Sequence, residues 1–313
     1  MKTIGITGGT GLVGKHLTKL LLSKGFNVVI FTRSTSLKKT PDGLSYAHWD
    51  AKRRSCDIAA IKRLDAIVHL AGAGIADKRW KPKRKKEITD SRVKGTHFLV
   101  SILKEHAPDC KTFVGASATG YYGPSHPRNP PFTETALPYN DFLGNTCVQW
   151  EAESQQAADF ARTIILRFGI VLGKESGAFA EFARPQSFGI MPILGLGNQV
   201  VSWIEVDDLA RLILFTIEQE QVAGVYNAVS PGPVSHRQLM KAIATEKGGI
   251  KIPVPVPSAL LHLLLGEMST EVLKSCDVSC EKITAAGFTF RHPTIAGAVK
   301  AILRPSEAAA IPQ

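Results

Sequence analysis

Four hydroxyl-bearing side chains fall within the short stretch Ser117-Ala118-Thr119-Gly120-Tyr121-Tyr122. Serine, threonine and tyrosine hydroxyls hydrogen-bond a substrate oxygen, and a phenol can exchange a proton with it. The stretch follows Lys111-Thr112-Phe113-Val114-Gly115-Ala116, an apolar run that reads as a strand. The hydroxyls are therefore expected at a strand's carboxyl end, the edge where ligands bind in α/β sheets.

A second chemical feature lies near the amino end. Thr7-Gly8-Gly9-Thr10-Gly11-Leu12-Val13-Gly14 follows the run Thr3-Ile4-Gly5-Ile6 and precedes Lys15-His16-Leu17-Thr18-Lys19-Leu20-Leu21-Leu22, giving strand, glycine turn and helix. In that context Gly8 turns the chain, Gly11 lets backbone N–H groups approach a pyrophosphate, and Gly14 packs helix on strand. The helix N-terminus faces an anion, with Thr10, Leu12 and Val13 lining the same turn. This predicts dinucleotide binding.

The following strand, Asn27-Val28-Val29-Ile30-Phe31-Thr32, completes a βαβ unit and ends in Thr32-Arg33-Ser34. NAD-selective sites usually place an acid here for the ribose hydroxyls; a cation between hydroxyls suits a 2′-phosphate instead, so NADP(H) is the expected cofactor. Ser45-Tyr46-Ala47-His48-Trp49-Asp50 reads as a third strand, whose Asp50 either receives the adenine amino group or caps a helix. Leu64 to His69 forms a fourth strand running into Leu70-Ala71-Gly72, small enough at its end for a cofactor to lie against the backbone. Thr163 to Gly173 reads as a sixth strand, and Asp207 or Asp208 as the cap of a helix running to Ile217. The pattern predicts a doubly wound parallel sheet of the Rossmann type, residues 1–169 with 200–223. A smaller C-terminal α+β lobe takes 170–199 with 224–303, and 304–313 is a tail.

The 313 residues include 44% hydrophobic and 21% charged residues, and carry a formal charge of +11. That charge fits a phosphorylated cofactor or an acidic substrate. The basic run from Lys78 to Lys86 lacks interleaved aromatics apart from Trp80 and reads as a solvated helix start, so no nucleic acid is expected. Five scattered cysteines, an odd number, argue against a disulfide framework and fit a reducing, cytoplasmic setting. Cys276 and Cys280 lack a histidine pair, and no metal site is expected. The longest apolar run, Ala259 to Leu265, is too short to span a bilayer, and the first strand follows Met1 too closely for a leader; no membrane partner is expected. Pairing with a second copy is compatible with all of this.

These strings resemble the extended short-chain dehydrogenase/reductase superfamily, through the glycine turn, Leu70-Ala71-Gly72, Val93-Lys94-Gly95-Thr96, Tyr122-Gly123, Arg167-Phe168-Gly169 and Val206-Asp207-Asp208-Leu209-Ala210. More closely the chain is similar to the atypical, sugar nucleotide epimerase-like family with a short C-terminal domain of its own. That likeness rests on Gly74-Ile75-Ala76-Asp77-Lys78-Arg79-Trp80, Ala116 to Gly123, Asp141-Phe142-Leu143 with Trp150-Glu151, and Leu265-Gly266-Glu267-Met268. The resemblance implies an NADP-binding domain, a lobe closing over the nicotinamide, and oxidoreductase or epimerase activity on a small, anionic or nucleotide-sugar-like substrate.

The superfamily's usual pair is a tyrosine followed four residues later by a lysine that lowers the phenol pKa. Aligned on the helix ending at Glu151, those positions are Leu143 and Cys147, and an asparagine usual before the Val-x-Gly-Thr motif is Arg92. Two readings follow. In one, Tyr121 or Tyr122 is the proton donor, assisted by Ser117 or Thr119 and by Arg92. In the other, the chain binds NADP without catalysis and regulates or senses.

Overall fold

The computed structural model describes residues 2–34 and 40–304. Apart from Arg304, the predicted tail lies outside them. Strands β1 (Thr3–Thr7), β2 (Asn27–Thr32), β3 (Leu44–Asp50), β4 (Ser55–Cys56), β5 (Ala66–His69), β6 (Thr112–Ala118) and β7 (Arg162–Phe168) come first in chain order. They are followed by β8 (Ile170–Leu172), β9 (Ile190–Leu194), β10 (Val200–Val201), β11 (Trp203–Glu205), β12 (Gly224–Ala228), β13 (Val234–Ser235) and β14 (Ile252–Val256). The helices are α1 (Leu12–Ser23), α2 (Ile58–Ile61), α3 (Pro82–His106), α4 (Phe142–Gln155), α5 (Ala178–Gln186), α6 (Val206–Glu218), α7 (His236–Lys247), α8 (Ser258–Leu265), α9 (Met268–Leu273), α10 (Glu281–Ala285) and α11 (Ile295–Leu303).

The main sheet has the order β12-β7-β6-β5-β1-β2-β3-β4. Every pairing in it is parallel except that of the short edge strand β4. Its central strands are apolar on both faces because helices cover both. Leu17 and Leu21 of α1 join Leu209 and Ile213 of α6 in one core, while Leu99 and Leu103 of α3 pack with Ile61, Ile67 and Phe113 in the other. The chain winds outward from β1 in one direction and from β5 in the other, which opens a crevice at the carboxyl ends of these two neighbours.

Three sequence expectations are corrected here. Residues 224–228 are not in the small lobe: β12 pairs with β7 and closes the main sheet, since Tyr226 and Ala228 bury against its core. The expected strand from Thr163 to Gly173 is two. Gly169 breaks it, because a Cβ there would meet the Ser202 carbonyl oxygen at 2.6 Å, and β8 leaves to pair with β11. The cap of α6 is neither aspartate but Glu205, whose carboxylate accepts the N–H groups of Asp207 and Asp208 at 2.8 and 2.9 Å. Asp208, fully buried, instead accepts the N–H groups of Arg291 and His292 at 2.9 and 2.8 Å and anchors the C-terminal segment.

The small lobe has its own core of Phe179, Met191, Trp203, Leu239, Ile243 and Val299. Its segment 275–279 returns to the main domain: Ser125 N–H donates to Ser275 O (2.8 Å), Phe132 N–H to Asp277 O (2.8 Å) and Ser279 N–H to Phe132 O (2.9 Å). The lobe is thereby fastened beside the carboxyl end of β6.

Candidate active site and cofactor cleft

At the end of β1 the backbone turns at Gly8, with φ of +72°. A Cβ on Gly8 would lie 2.9 Å from Ala71 N and Leu70 C, and one on Gly14 would lie 2.5 Å from Gly8 O and Gly9 Cα. Both glycines are therefore required by close approach. Gly11 is exposed, donates its N–H to Gly8 O at 3.0 Å, and starts α1 with neither a side-chain cap nor an acid in the first turn. The first-turn N–H groups around Leu12 and Val13, and the positive end of the helix dipole, are left for an external anion. Thr10 is exposed beside them, and Gly72 is exposed where Leu70 and Ala71 leave β5. The arrangement fits a pyrophosphate-bearing dinucleotide. Under it, Thr7 Oγ1 and His69 Nδ1 share a hydrogen bond of 2.6 Å, and His69 Nε2 meets Thr96 Oγ1 at 3.1 Å. Burial drives the His69 imidazole down to about 4, so this strut is neutral.

Arg33 is exposed at the end of β2, near enough to Asp50 that its charge helps hold that carboxyl below its usual range. The main cause of that shift is the N–H of Arg53: Asp50 accepts the N–H groups of Lys52 and Arg53 at 2.9 and 3.2 Å. Asp50 therefore caps the turn between β3 and β4 and not a helix; α2 is capped by Asp57.

The hydroxyl cluster divides into two sets. Ser117 is 2% exposed and its Oγ donates to Glu151 Oε1 at 2.6 Å. Tyr122 is fully buried; its hydroxyl donates to Asn227 Oδ1 at 2.7 Å and accepts from Arg167 Nη1 at 2.8 Å. Burial pushes this phenol up to about 12. As folded, neither group can reach a substrate, which corrects the expectation for both. Thr119 and Tyr121 are half-exposed, and neither hydroxyl has a hydrogen-bond partner among the described residues. The Tyr121 ring lies under the Arg167 guanidinium, 3.4 Å from its carbon.

Arg92 of α3 is also buried. Its Nη1 donates to Ala73 O and Ile88 O at 2.9 and 3.2 Å, and its guanidinium sits 5.1 Å from the Trp150 ring centre. It underlies the strand end, 3.1 Å from where a Gly72 Cβ would stand. It braces the backbone at the end of β5 and, being buried, is not placed to meet an anionic substrate. Leu143 and Cys147 are 8% and 4% exposed, and burial raises the Cys147 thiol to about 12. Of the basic run, Lys83 and Lys86 are solvated as expected, but Arg84 is buried, bound to Asp77, Glu87 and the Gly74 carbonyl.

Sequence reasoning missed the groups that organise this edge: Glu151, Arg167, Asn227 and Lys274. Arg167 sits in the quoted Arg-Phe-Gly string, but its side-chain partners come from α4 and the loop after β6. From the lobe, Lys274 Nζ donates to Tyr122 O (3.2 Å) and to Glu271 (2.9 Å), and Cys276 Sγ lies 3.7 Å from Thr119 O. Beyond Ser275 opens a cavity of about 560 Å³, lined by Pro127, Gln199 and Leu273 among other uncharged residues. A cavity of about 430 Å³ at Lys2, Lys111 and Arg162 lies at the opposite end of the strands, away from the glycine turn.

Residues 4–228 match the NAD dependent epimerase/dehydratase family, and residues 256–302 match a domain described as "Domain of unknown function (DUF1731)". An epimerase family protein of Staphylococcus haemolyticus is 35% identical over 299 residues, covering 94% of this chain and 97% of its own. The human epimerase family protein SDR39U1 (isoform 2), solved with NADPH, superposes with a TM-score of 0.82 at 27% identity, over 97% of this chain and 100% of that one. A nucleoside-diphosphate sugar epimerase from Corynebacterium glutamicum gives 0.76 at 29% identity, over 96% of this chain and 58% of that one. With the glycine turn, the switch-point crevice and the lobe all in these positions, the chain belongs to the NAD dependent epimerase/dehydratase family.

Proposed function

We propose that this protein binds NADP(H) and oxidises, reduces or epimerises a small substrate at a carbon bearing a hydroxyl or carbonyl oxygen. The glycine turn would hold the pyrophosphate and Arg33 the 2′-phosphate. The observation that carries the cofactor choice is Arg33, exposed at the end of β2 with no acid taking its place; the human relative's structure with NADPH agrees with it. When bound, the nicotinamide supplies hydride exchange. The chain's own task is then to hold the substrate oxygen and move one proton at it. Tyr121 is the group for that step: its phenol is half-exposed and uncommitted, and Thr119 beside it can hydrogen-bond the same oxygen. Titration of NADPH and NADH on wild type and Arg33→Ala tests the reading. Loss of NADPH affinity by about ten-fold or more, with NADH unchanged, is expected for removing a charge-assisted hydrogen bond. Equal affinity in both proteins would overturn it.

A second reading has an observation of its own. Leu143 and Cys147 stand buried where the superfamily's tyrosine and lysine would be, which fits a chain that holds NADP and signals its redox state without turnover. NADPH consumption in a screen of carbonyl compounds would remove it.

A further inference from the structure

Strands β9 and β14 form a parallel pair in the small lobe, in register Ile190 with Ile252, Pro192 with Val254 and Leu194 with Val256. In such a pair alternate residues share a face. Met191 and Ile193 turn inward to the lobe core. The other face is apolar at every position and open toward its amino end: Ile190, Ile252 and Val254, with flanking Phe188 and Ile250, are 40–88% exposed, while Pro192, Leu194 and Val256 are half-buried. Helix α8 follows directly and adds Leu260, Leu263 and Leu264, 43–70% exposed on one side. Eight large apolar side chains are thus exposed on these two neighbouring elements and the residues just before the strands, and clusters of exposed apolar side chains mark interaction sites.

The outer edge of β14 does not invite strand addition. Ile252 N–H donates to Gly189 O on the β9 side, so the alternate positions facing outward are Pro253 and Pro255, which have no N–H to offer. The face is open while the edge is closed. Around the face stand cations that pair with no acid among the described residues. Lys247 Nζ donates to Ala183 O and Ser187 Oγ, Arg237 Nη2 to Leu196 O, and Arg79 Nη1 to Leu263 O; Lys251 stands beside Lys247. The lobe's Glu181, Glu246 and Glu267 are each held by a different cation, Arg184, Arg304 and Lys85. An apolar face with a positive rim is complementary to an anionic lipid surface, and it opposes a second copy, which would bring the same cations together.

We propose that the β9–β14 face and α8 form a docking surface for an anionic bilayer. This departs from the expectation of no membrane partner, which weighed spanning and leader segments and not a folded surface. The test is flotation of the full-length chain with vesicles of phosphatidylcholine, with and without added phosphatidylglycerol. The chain should float with the anionic vesicles and stay behind with the neutral ones. Ile250→Asp and Ile252→Asp should lower vesicle affinity at least ten-fold, and Lys251→Gln and Arg237→Gln by about five-fold each. Both isoleucines are largely exposed, so these variants should keep the wild-type melting temperature. Three results would overturn the proposal: no flotation with anionic vesicles, flotation that Ile250→Asp leaves intact, or a wild-type dimer that Ile250→Asp splits in the absence of vesicle binding. The last would assign the face to a second copy.

Discussion

Arg167 holds Glu151 through two parallel hydrogen bonds, Nε to Oε1 and Nη2 to Oε2, each 2.8 Å long. The pair ties β7 to α4 at the point where the hydroxyl stretch leaves β6, and Arg167 also reaches the Tyr122 hydroxyl and stacks on Tyr121. A buried, fully hydrogen-bonded ion pair adds little over an apolar replacement, but breaking it strands a charge. The arginine side chain is 3% exposed. Glu151→Ala should therefore cost about 3–5 kcal/mol in urea unfolding. Arg167→Lys should not be conservative, since a point charge cannot span both oxygens. A loss below about 1 kcal/mol in Glu151→Ala would contradict this account.

The two adjacent tyrosines should behave oppositely. Tyr122→Phe leaves Asn227 Oδ1 and one Arg167 donor without their partner in a buried place, and should destabilise by about 1–3 kcal/mol. Tyr121→Phe removes a hydroxyl that bonds nothing among the described residues, so melting should be unchanged while turnover falls by about a hundred-fold or more, the size of a general acid–base contribution. Turnover retained in Tyr121→Phe would exclude its phenol as the proton donor.

Glycine substitutions separate packing from ligand approach. Gly14→Ala places a methyl 2.5 Å from Gly8 O and Gly9 Cα, where only backbone can yield. It should lower both melting temperature and NADPH affinity. At Gly11 the nearest atom to an added Cβ is Gly8 O at 3.3 Å, and φ of −79° suits alanine. Gly11→Ala should fold normally and lose NADPH affinity alone. Equal melting losses in the two variants would refute the distinction.

The parts of this fold legible in the sequence are those set by local pattern. The glycine turn is readable because strand, turn and helix are contiguous, and β1, β2, β5 and β6 because each is a short, mostly apolar run bounded by turn residues. What escaped depends on partners distant in the chain. Gly169 reads as one more residue in a β-branched run until Ser202 is seen against it. Ser117, Tyr122 and Arg92 have the right chemistry, but Glu151, Asn227 and Ala73 absorb it. The apolar face joins strands some 60 positions apart in register, so no window along the sequence contains it.

The last expectation concerns pH. Burial foremost, with Asp207 adding repulsion, raises the Glu205 carboxyl from 4.5 to about 7. Its folded pKa lies above its unfolded one, so the native state binds more protons between pH 4.5 and 7, and this group's contribution to stability falls as pH rises through that window. His69 and His236, both lowered to about 4 by burial, act with the opposite sign below pH 6.5, where the unfolded chain binds more protons. The net profile of the wild type therefore mixes the two, and a difference isolates the glutamate. Glu205→Gln keeps an oxygen to accept the Asp207 and Asp208 N–H groups but cannot ionise. Urea unfolding at pH 5 and pH 8 should show Glu205→Gln close to wild type at the lower pH and more stable than wild type at the higher one. A difference between the two proteins that does not change with pH would show that the carboxylate stays ionised throughout, held by those two N–H groups.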